Sequence, residues 1–454
     1  METVRRRGFL KAAAAAAFAA GAGAAKGEGA SGGAKCVPVA KAAGTYDVVV
    51  AGGGPAGISA AVSAARNGAK TLLLELHGSL GGIWTVGALG YVIGFGKCAT
   101  DREITARLDE MGARTPADRR HSEAHWSYEP EAMKVVCEDM CREAGVDVRL
   151  LSPVVAAETE GRRIVAAITE SKSGREAWKA RAFIDATGDG DLAARAGNPF
   201  DVGSDAPGAP DQPASLCAIV SVDDPAAIRR FINHDPSSLS PDRRRMLWSP
   251  KKELLAELAR IGVTPTYSGP SLFHLHGGLF VMMANQEYGL RVDDATAISA
   301  ATMKARREIF DLARALRERG GEKWRGFRIV ASAEQLTHRG GRRIRGQYMV
   351  TAEDVAAGRR FEDAVALSTT GIDIHGLTMK DNIRSSDGNP DKIAFKPFEI
   401  PLRACRASDF DNLYMAGRCI SGGFVPHASY RVTGCAVQMG ENVGKAAALA
   451  GKRG

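Results

Sequence analysis

Residues 46–57 read YDVVVAGGGPAG, and this stretch carries the clearest indication of the fold. Its first half is apolar and β-branched, as in a buried parallel strand, and its second half is a glycine-rich turn. Residues 58–67 then predict a helix, and residues 70–74 predict a second strand that ends at Glu75. Because the G-x-G-x-x-G turn lies between a strand and a helix and an acidic residue follows, the pattern indicates a dinucleotide-binding unit.

Each glycine of the turn has a separate physical task. Gly52 permits the tight turn, Gly54 lets the backbone approach a pyrophosphate, and Gly57 lets the helix pack closely on the strand. The first turn of the helix offers free N–H groups and a positive dipole end to the phosphates. Glu75 can bind both hydroxyls of a ribose and would repel a 2′-phosphate, so NADP is disfavoured.

Four later features favour FAD over NAD. The pair Gly81-Gly82 opens a glycine-rich segment soon after Glu75. A buried strand ends in Ala-Thr-Gly at residues 186–188, after two β-rich stretches that predict a meander. Residues 412–418 predict a late apolar strand that ends in a glycine turn, and residues 434–450 predict a small-residue helix whose N-terminus approaches the flavin. The chain has one G-x-G-x-x-G fingerprint, so a second domain for NAD(P)H is not expected.

Together these motifs resemble the FAD-dependent oxidoreductases of the glutathione-reductase structural class that bind a single dinucleotide. Residues 339–376 and 397–420 look most similar to a bacterial FAD-dependent oxidoreductase family related to the flavin-binding part of heterodisulfide reductase. The resemblance runs from about Tyr46 to the C-terminus. It implies an α/β fold, with a Rossmann-like FAD-binding domain of three layers (ββα) and an inserted mixed α+β substrate domain.

The resemblance and the fingerprint together give a set of cofactor-binding residues. These are Gly52, Gly54, Pro55, Ala56, Gly57, Glu75, Leu76, Gly81, Gly82, Val154, Thr187, Gly188, Gly417 and Arg418. Many flavoproteins have an aspartate where Arg418 stands, and this family commonly has Ala-Gly-Arg, so the ribityl contact stays open. His77 follows the acidic residue, but its spacing to the glycine pair differs from that of covalent flavoproteins, so noncovalent FAD is expected.

The sequence holds eight cysteines but no C-x-x-C pair. Cys137 and Cys141 lie four residues apart on a predicted helix, where a buried face is favoured over half of a metal site. Cys405, Cys419 and Cys435 flank the late flavin motifs and are either ordinary buried thiols or redox thiols and cluster ligands. A 4Fe–4S cluster is implied by the family resemblance only, and no metal-ligating residue is predicted.

The catalytic candidates are two pairs of residues. His427 and Arg431 follow a Gly-Gly pair and resemble the residues that hold a substrate carboxylate in fumarate-reductase-type flavoproteins. Alternatively, Arg431 fixes backbone carbonyls near the flavin phosphate. Asp373 and His375 are predicted on one face of an alternating strand, so that the carboxylate orients the imidazole; a core histidine is the alternative.

Basic residues are the third candidate feature. Around Gly340-Gly341 they form either a solvated basic face or an anion clamp, and they are Arg339, Arg342, Arg343 and Arg345. The net charge of the whole chain is +8, with no long basic run. This mild balance suits anionic ligands as well as any other partner, and no nucleic-acid surface is expected.

The N-terminus is interpreted as an export signal. Arg6-Arg7 opens a twin-arginine pattern, an Ala-rich stretch follows, and Ala22-Gly23-Ala24 offers a cleavage site, so the twin-arginine translocase is an expected partner. The stretch is too short and too weakly apolar for a stable membrane span.

The predicted organisation has five parts. They are a signal peptide (1–24), a flexible linker (25–44), the first part of the FAD-binding domain (45–200), a substrate or cap domain (201–396) and the second part of the FAD-binding domain (397–454). Within the substrate domain, residues 295–319 predict a long amphipathic helix that ends at a Gly-Gly pair.

The sequence therefore predicts a bacterial FAD-dependent oxidoreductase, periplasmic or otherwise exported, that moves a hydride between a small organic substrate and flavin N5. Its electron partner is expected to be a quinone or a protein carrier. One alternative is a fumarate-reductase-like reductase of a carboxylate substrate. Another is a flavoprotein electron carrier or a protein that keeps FAD structurally, but neither needs a long insertion with clustered arginines and histidines.

Overall fold

The computed structural model describes residues 40–115, 124–204, 210–233, 243–384, 389 and 392–451. These residues belong to one unit, Ala40–Gly454. The predicted twin-arginine signal and the predicted linker up to Val39 lie outside the described residues.

Strands and helices alternate from residue 41 to residue 149, as is typical of an α/β fold, and several later strands follow one another directly. The strands are β1 (Lys41–Ala51), β2 (Thr71–Leu74), β3 (Tyr91–Ile93), β4 (His125–Ser127), β5 (Asp147–Arg149), β6 (Val154–Glu160), β7 (Arg163–Ser171), β8 (Gly174–Asp185), β9 (Phe200–Asp201), β10 (Ala218–Ser221), β11 (Ile232–Asn233), β12 (Ser271–His276), β13 (Leu279–Met283), β14 (Arg328–Ser332), β15 (Arg343–Ile344), β16 (Ala364–Ser368), β17 (Phe398–Pro401) and β18 (Leu413–Met415). The helices are α1 (Pro55–Arg66), α2 (Ala99–Glu110), α3 (Pro130–Glu143), α4 (Asp191–Ala196), α5 (Arg243–Arg260), α6 (Ala295–Arg319), α7 (Ala352–Ala357), α8 (Met379–Arg384), α9 (Phe424–Tyr430) and α10 (Thr433–Gly451).

The fingerprint strand β1 lies in the middle of the main sheet. The strands follow the order β5-β2-β1-β8-β7-β6, and β18 also pairs with β8. Val49 of β1 faces Leu72 on one side and Phe183 on the other, both in parallel register, and all three are fully buried. β1 begins at Lys41, so residues 41–44 are part of a strand rather than of the predicted linker, because they pair with the first half of β8.

Helices α1 and α10 pack against each other through small residues. The hydroxyls of Ser59 and Ser63 donate to backbone carbonyls of α10 at 2.8 and 2.6 Å. A Cβ at Gly440 or at Gly444 would lie 2.2 Å from a carbonyl oxygen of α1. The two helices can therefore approach this closely only because glycine stands at these positions.

The long strand β8 joins two kinds of sheet. Its first half pairs antiparallel with β7, which in turn pairs antiparallel with β6. β1 runs parallel to β8 along almost its whole length, and β18 is parallel to its last three residues. The predicted meander is therefore present and shares β8 with the parallel strands. Parallel strands, a β-meander and helices make up an α/β fold, which confirms the predicted fold class.

Residues 218–332 contribute a second sheet with its own hydrophobic core. Its strand order is β11-β12-β13-β10-β14, and α6 packs on it through a buried face that includes Ile309 and Leu316. The bounds of α6 coincide with those of the predicted amphipathic helix. Among the described residues, no helix combines the length and apolarity needed to cross a bilayer.

Candidate functional site

A cleft of about 370 Å³ opens at the carboxyl ends of the parallel strands. The first residues after β1, β2, β8 and β18 all line it: Gly52, Glu75, Ala186 and Ala416. This edge is where open α/β sheets bind their ligands. Of the predicted cofactor-binding residues, those that line the cleft are Gly52, Gly54, Pro55, Ala56, Glu75, Leu76, Gly82, Val154, Thr187, Gly188, Gly417 and Arg418.

The two predicted residues off the cleft wall, Gly57 and Gly81, have packing roles. A Cβ at Gly57 would lie 1.7 Å from the carbonyl oxygen of Gly52, so only glycine lets α1 sit on β1. Gly81 adopts a φ of 107° and donates its N–H to the carbonyl of Gly53 at 2.8 Å. The glycine pair therefore docks the following short 3-10 helix, Gly82–Trp84, against the fingerprint turn.

Gly54 differs from the other fingerprint glycines. It lies just before α1 with extended backbone angles, and a Cβ added to it meets no atom within 4 Å. Gly52, in contrast, has a φ of 97°, and its Cβ would lie 2.5 Å from the carbonyl oxygen of Ala186. Glycine is thus required at position 52 because a side chain there would clash with the backbone of Ala186. The open space beside Gly54 instead faces the cleft, at the N-terminus of α1.

The carboxylate of Glu75 is held in place by backbone N–H groups. Gly53 donates to Oε2 at 2.5 Å and His77 donates to Oε1 at 2.8 Å, and the residue is buried. The ring of His77 is itself bound at Nε2 to Gln335 at 2.8 Å. Glu75 therefore reaches the cleft in a fixed orientation beside the fingerprint turn, as a ribose contact requires.

Arg418 connects three segments that meet at the cleft. Its guanidinium pairs with Asp189 at 2.9 Å, in the loop after β8, and also donates to the carbonyl of Gly340. It lies against Gly188, where an added Cβ would be 2.7 Å from Nη2. The Ala-Gly-Arg sequence of residues 416–418 thus places the Arg418–Asp189 ion pair at the position where many flavoproteins have a single aspartate.

These residues fit an FAD molecule in both charge and shape. The start of α1 offers backbone donors beside open space at Gly54, which suits a pyrophosphate. The first turn of α10 also lines the cleft through Thr433 and Ala436, and the buried hydroxyl of Thr433 has no hydrogen-bond partner among the described residues. A buried donor without a partner is costly unless a ligand satisfies it.

The catalytic candidates Arg431, Asp373 and His375 form one cluster. Arg431 lines the cleft, and its Nη2 donates to Asp373 Oδ2 at 3.0 Å and to the Asp373 carbonyl at 2.8 Å. Asp373 Oδ2 also lies 3.4 Å from His375 Nε2. The side chain of Asp373 is 55% exposed, whereas those of Arg431 and His375 are 12% and 14% exposed. The cluster is therefore accessible through its carboxylate.

Segment 371–375 is a loop and not the strand that alternation predicted. The segment pairs with no strand among the described residues. Its backbone instead contacts side chains such as that of Gln212, whose Oε1 accepts a hydrogen bond from the His375 N–H at 3.0 Å. The predicted pairing of Asp373 with His375 is nevertheless present. Ile372 and Ile374, which alternate with them in the sequence, are both buried, so the alternation of the side chains is preserved.

Charge within the cluster fixes its protonation. Desolvation alone would raise the pKa of Asp373, but His375 and Arg431 outweigh it and hold that pKa well below its usual range. Desolvation, with the nearby Arg339 guanidinium, lowers the pKa of His375 to about 4. Desolvation also lowers the pKa of Arg431 to about 10. At neutral pH the cluster therefore contains a carboxylate, a neutral imidazole and a guanidinium.

The structure does not bring His427 to the cleft, in contrast to its assignment as a catalytic candidate. It lies in α9, whose described residues are all buried, and its ring packs edge-on against Tyr430 at 5.4 Å. Burial holds the pKa of His427 well below its ordinary value, and neither ring nitrogen has a hydrogen-bond partner among the described residues. Its spacing to Arg431 reflects one turn of helix rather than a shared site.

The arginines around Gly340-Gly341 are not a solvated basic face, since only Arg345 is exposed. Arg339 is buried and donates to the Pro213 carbonyl and to Ser215 Oγ at 2.8 and 2.9 Å. Arg343 is buried and binds the carbonyls of Gly422 and Gly203; Arg342 pairs with Asp191 at 2.9 Å. These guanidiniums tie loops together, which satisfies backbone carbonyls that helices and strands leave unpaired.

The cysteines that flank the late motifs are buried. Burial raises the pKa of Cys405, Cys419 and Cys435, so little reactive thiolate forms at neutral pH. Cys137 and Cys141 share the buried face of α3, as predicted. In the described parts of the chain, no group of three or more His, Cys, Asp or Glu side chains could hold a metal ion, so a 4Fe–4S cluster has no support there.

Several cleft residues carry no local signal in the sequence. Gln335, Leu336, Thr337 and His338 line the cleft beside the fingerprint turn, although they come more than 250 residues later. Asp189 directly follows the Ala-Thr-Gly turn, and this position in the sequence is the one feature that could have indicated its place at the cleft. Gln286, which contacts His375, lies in the segment that forms the second sheet, and no sequence feature indicates its role.

Comparison with known proteins identifies the family of the chain. Residues 47–454 match the family model described as FAD dependent oxidoreductase. Thiamine thiazole synthase of Methanothermobacter thermautotrophicus is 32% identical over 152 residues, 31% of this chain and 55% of that protein. The tRNA uridine 5-carboxymethylaminomethyl modification enzyme MnmG of Alkaliphilus metalliredigens is 47% identical over 73 residues, 16% of this chain and 11% of that enzyme. The chain thus spans at most about half the length of these curated relatives.

Solved structures that the chain matches include a geranylgeranyl bacteriochlorophyll reductase-like protein of Thermoplasma acidophilum, with a TM-score of 0.42 and 15% identity over 90% of this chain and 78% of that chain. Another is p-nitrophenol 4-monooxygenase PnpA of Pseudomonas putida, with a TM-score of 0.41 and 13% identity over 67% of this chain and 70% of that chain. The family match spans nearly the whole described chain, from the fingerprint strand to α10. The chain therefore belongs to the FAD-dependent oxidoreductase family.

Proposed function

We propose that this protein moves a hydride between a small organic substrate and flavin N5, with the substrate bound beside Arg431, Asp373 and His375. The observation that carries this proposal is the position of Arg431, which lines the cofactor cleft and pairs with Asp373 at 3.0 Å. A charged cluster with an accessible carboxylate at the wall of a cofactor cleft suits the binding of a polar substrate.

The chain's own residues would hold FAD along the cleft. The turn at Gly54 and the start of α1 would bind the pyrophosphate, and Glu75 would bind the ribose. When bound, FAD supplies the two-electron redox chemistry through its ring. Noncovalent binding is supported by His77, whose Nε2 is engaged with Gln335 rather than free.

Three groups would act on the substrate. The Arg431 guanidinium stays charged at neutral pH and would stabilise negative charge that develops during hydride transfer. The Asp373 carboxylate, which is 55% exposed, would accept a hydrogen bond from a substrate hydroxyl or amino group. His375 would orient that carboxylate from the buried side at 3.4 Å.

A fumarate-reductase-like reaction on a carboxylate substrate has less support. Arg431 is already paired with Asp373, so a substrate carboxylate would have to compete with an internal one. His427, the other half of that resemblance, is buried away from the cleft.

Export and the electron partner belong to the same proposal. Arg6-Arg7 and the following Ala-rich stretch support a twin-arginine route to the periplasm, which suits a protein that folds around its cofactor first. The single nucleotide fingerprint supports a quinone or a protein carrier as electron partner, in place of NAD(P)H.

The test starts with flavin content and continues with anaerobic mixing. Purified protein should be yellow and release its flavin on acid precipitation; colourless protein would overturn the proposal. A panel of alcohols, amines and hydroxy acids is then mixed without oxygen while flavin bleaching is followed. For any compound that bleaches the flavin, Arg431→Ala should slow the reaction about 10²-fold or more while flavin content is retained.

Arg345→Ala is the matched control, because Arg345 is an exposed arginine paired with Asp201 at 2.8 Å on the surface. It should bleach at the wild-type rate. A wild-type rate for Arg431→Ala would contradict its catalytic role. Loss of both flavin and folding in Arg431→Ala would show that Arg431 is needed for the structure. The flavin-bleaching rate of Asp373→Asn would then test the catalytic role of the cluster.

A further inference from the structure

Gln286 lies directly behind His375 on the side away from Asp373. It is fully buried, and its Nε2 lies 3.0 Å from His375 Nδ1. Its Oε1 lies 2.9 Å from the hydroxyl of Tyr288. That hydroxyl also accepts a hydrogen bond from Asn382 Nδ2 at 2.8 Å. His375 is thus bound at both ring nitrogens, by a carboxylate on one side and an amide on the other.

The positions of the protons around His375 depend on Asp373 and Gln286 together. The Asp373 carboxylate is ionised and can only accept hydrogen bonds, so it favours a proton on His375 Nε2, 3.4 Å away. A neutral imidazole has a single N–H, and its Nδ1 is then an acceptor. Gln286 therefore turns its NH₂ group toward Nδ1 and its carbonyl toward the Tyr288 hydroxyl, which lies 2.9 Å from both this carbonyl and that of Thr266.

We propose that Gln286 is a positioning residue that holds His375 as the neutral Nε2–H tautomer. In this state His375 donates to Asp373 and is not a free proton acceptor, so the group that meets the substrate is the carboxylate. The proposal rests on the proposed function only where it assumes that a substrate binds at Asp373. The tautomer of His375 is a property of the folded protein and does not depend on a substrate.

The surroundings of His375 support a neutral ring. The charged groups that face it are Asp373, Arg431 and Arg339, two of which are cationic and disfavour an imidazolium. The ring of Tyr267 lies 5.8 Å away, and the His375 backbone N–H is bound by Gln212 at 3.0 Å. Backbone and both ring nitrogens are therefore fixed, which leaves the ring little freedom to exchange partners.

Gln286→Glu is the sharpest test, because it replaces the amide donor by an acceptor of nearly the same shape. A carboxylate at this position can only accept a hydrogen bond, so it favours a proton on His375 Nδ1 in addition to the one on Nε2. The pKa of His375 should therefore rise by about 2 or more, the scale of an adjacent buried carboxylate, so that the doubly protonated ring is seen at about pH 6 and not only near pH 4. The readout is the ¹⁵N shift of the two ring nitrogens in ¹⁵N-histidine-labelled, flavin-loaded protein, with His375 assigned from the signals missing in His375→Asn.

Wild-type protein at neutral pH should show His375 with one protonated nitrogen, Nε2. Gln347→Glu, at an exposed glutamine, is the matched control and should leave these signals unchanged. Should Gln286→Glu fail to fold, Gln286→Met removes the donor at similar volume and should let the Nδ1–H tautomer appear. Either a protonated or Nδ1–H ring in the wild type, or unchanged signals in the folded Gln286 variants, would overturn the proposal. No turnover is needed, so a failed search for substrate leaves this result standing.

Discussion

Gly54 and Gly57 are three residues apart in one turn, yet the structure predicts opposite outcomes for their replacement by valine. At Gly54 the backbone is extended and an added Cβ meets nothing within 4 Å, so the apoprotein should accommodate the side chain. At Gly57 the Cβ would lie 1.7 Å from the Gly52 carbonyl oxygen, so α1 must move away from β1. Gly54→Val should therefore affect the ligand, and Gly57→Val the fold.

The size of the effect at Gly54 follows from what its side chain would displace. The valine occupies the space through which a pyrophosphate reaches the start of α1. Loss of two charge-assisted hydrogen bonds, at about 1.5–3 kcal/mol each, weakens binding by about 3–6 kcal/mol. This corresponds to about 10²- to 10⁴-fold in the dissociation constant of FAD. The stability of the apoprotein should change by less than about 1 kcal/mol.

The assay measures flavin released by acid per mole of protein, together with urea unfolding of the flavin-free protein. Gly54→Val should retain little flavin and unfold at the wild-type urea concentration, whereas Gly57→Val should lose both flavin and stability. Gly371→Val is a control at a glycine that also has open space around its Cβ but does not line the cleft, and it should keep its flavin. Stoichiometric flavin in Gly54→Val would refute the assignment of the pyrophosphate to this turn.

Two further predictions concern stability and export. Glu257 is buried and bound by Arg260 and Lys323 at 2.9 Å each; these partners lower its pKa to about 2, against about 4.3 in an unfolded chain. The stabilisation that the Glu257 carboxylate provides is present above the unfolded pKa and is lost as the pH falls toward the folded pKa. Glu257→Gln should therefore lower the free energy of unfolding in urea by about 2 kcal/mol at neutral pH and by progressively less in acid. An equal loss at all pH values would contradict this prediction. Arg6→Lys combined with Arg7→Lys should keep folded, flavin-loaded protein in the cytoplasm, as cell fractionation would show; normal export of that double variant would exclude the twin-arginine route.

The cofactor half of the site could be predicted from the sequence because its parts are local. The strand, turn, helix and second strand of residues 46–75 are adjacent in the chain, and Gly52 and Gly57 have steric reasons that agree with their spacing in the motif. The later turns at Gly188 and Gly417 could be predicted because parallel strands all end at the same edge of the sheet.

The substrate half could be predicted only in part. Alternation pairs Asp373 with His375 correctly, but through a strand that the structure replaces by a loop. The spacing of Arg431 and His427 predicts one site, whereas one turn of helix buries His427 and leaves Arg431 at the cleft. Side-chain direction on a short buried helix depends on what packs around it, and the sequence does not contain that information.

Residues 46–75 alone indicate the dinucleotide fold and the acidic residue predicted to bind a ribose, because these features depend on neighbours a few residues away; the preference for FAD rests on motifs spread from Gly81 to the C-terminal helix. That Arg431, Asp373, His375 and Gln286 form one cluster of hydrogen bonds and ion pairs is visible only in the folded chain. Gln286 comes from the second sheet's segment, and Asp373 and Arg431 lie 58 residues apart. Their protonation states arise from shared burial and mutual charge, which exist only once the folded chain brings these groups within a few ångströms of one another.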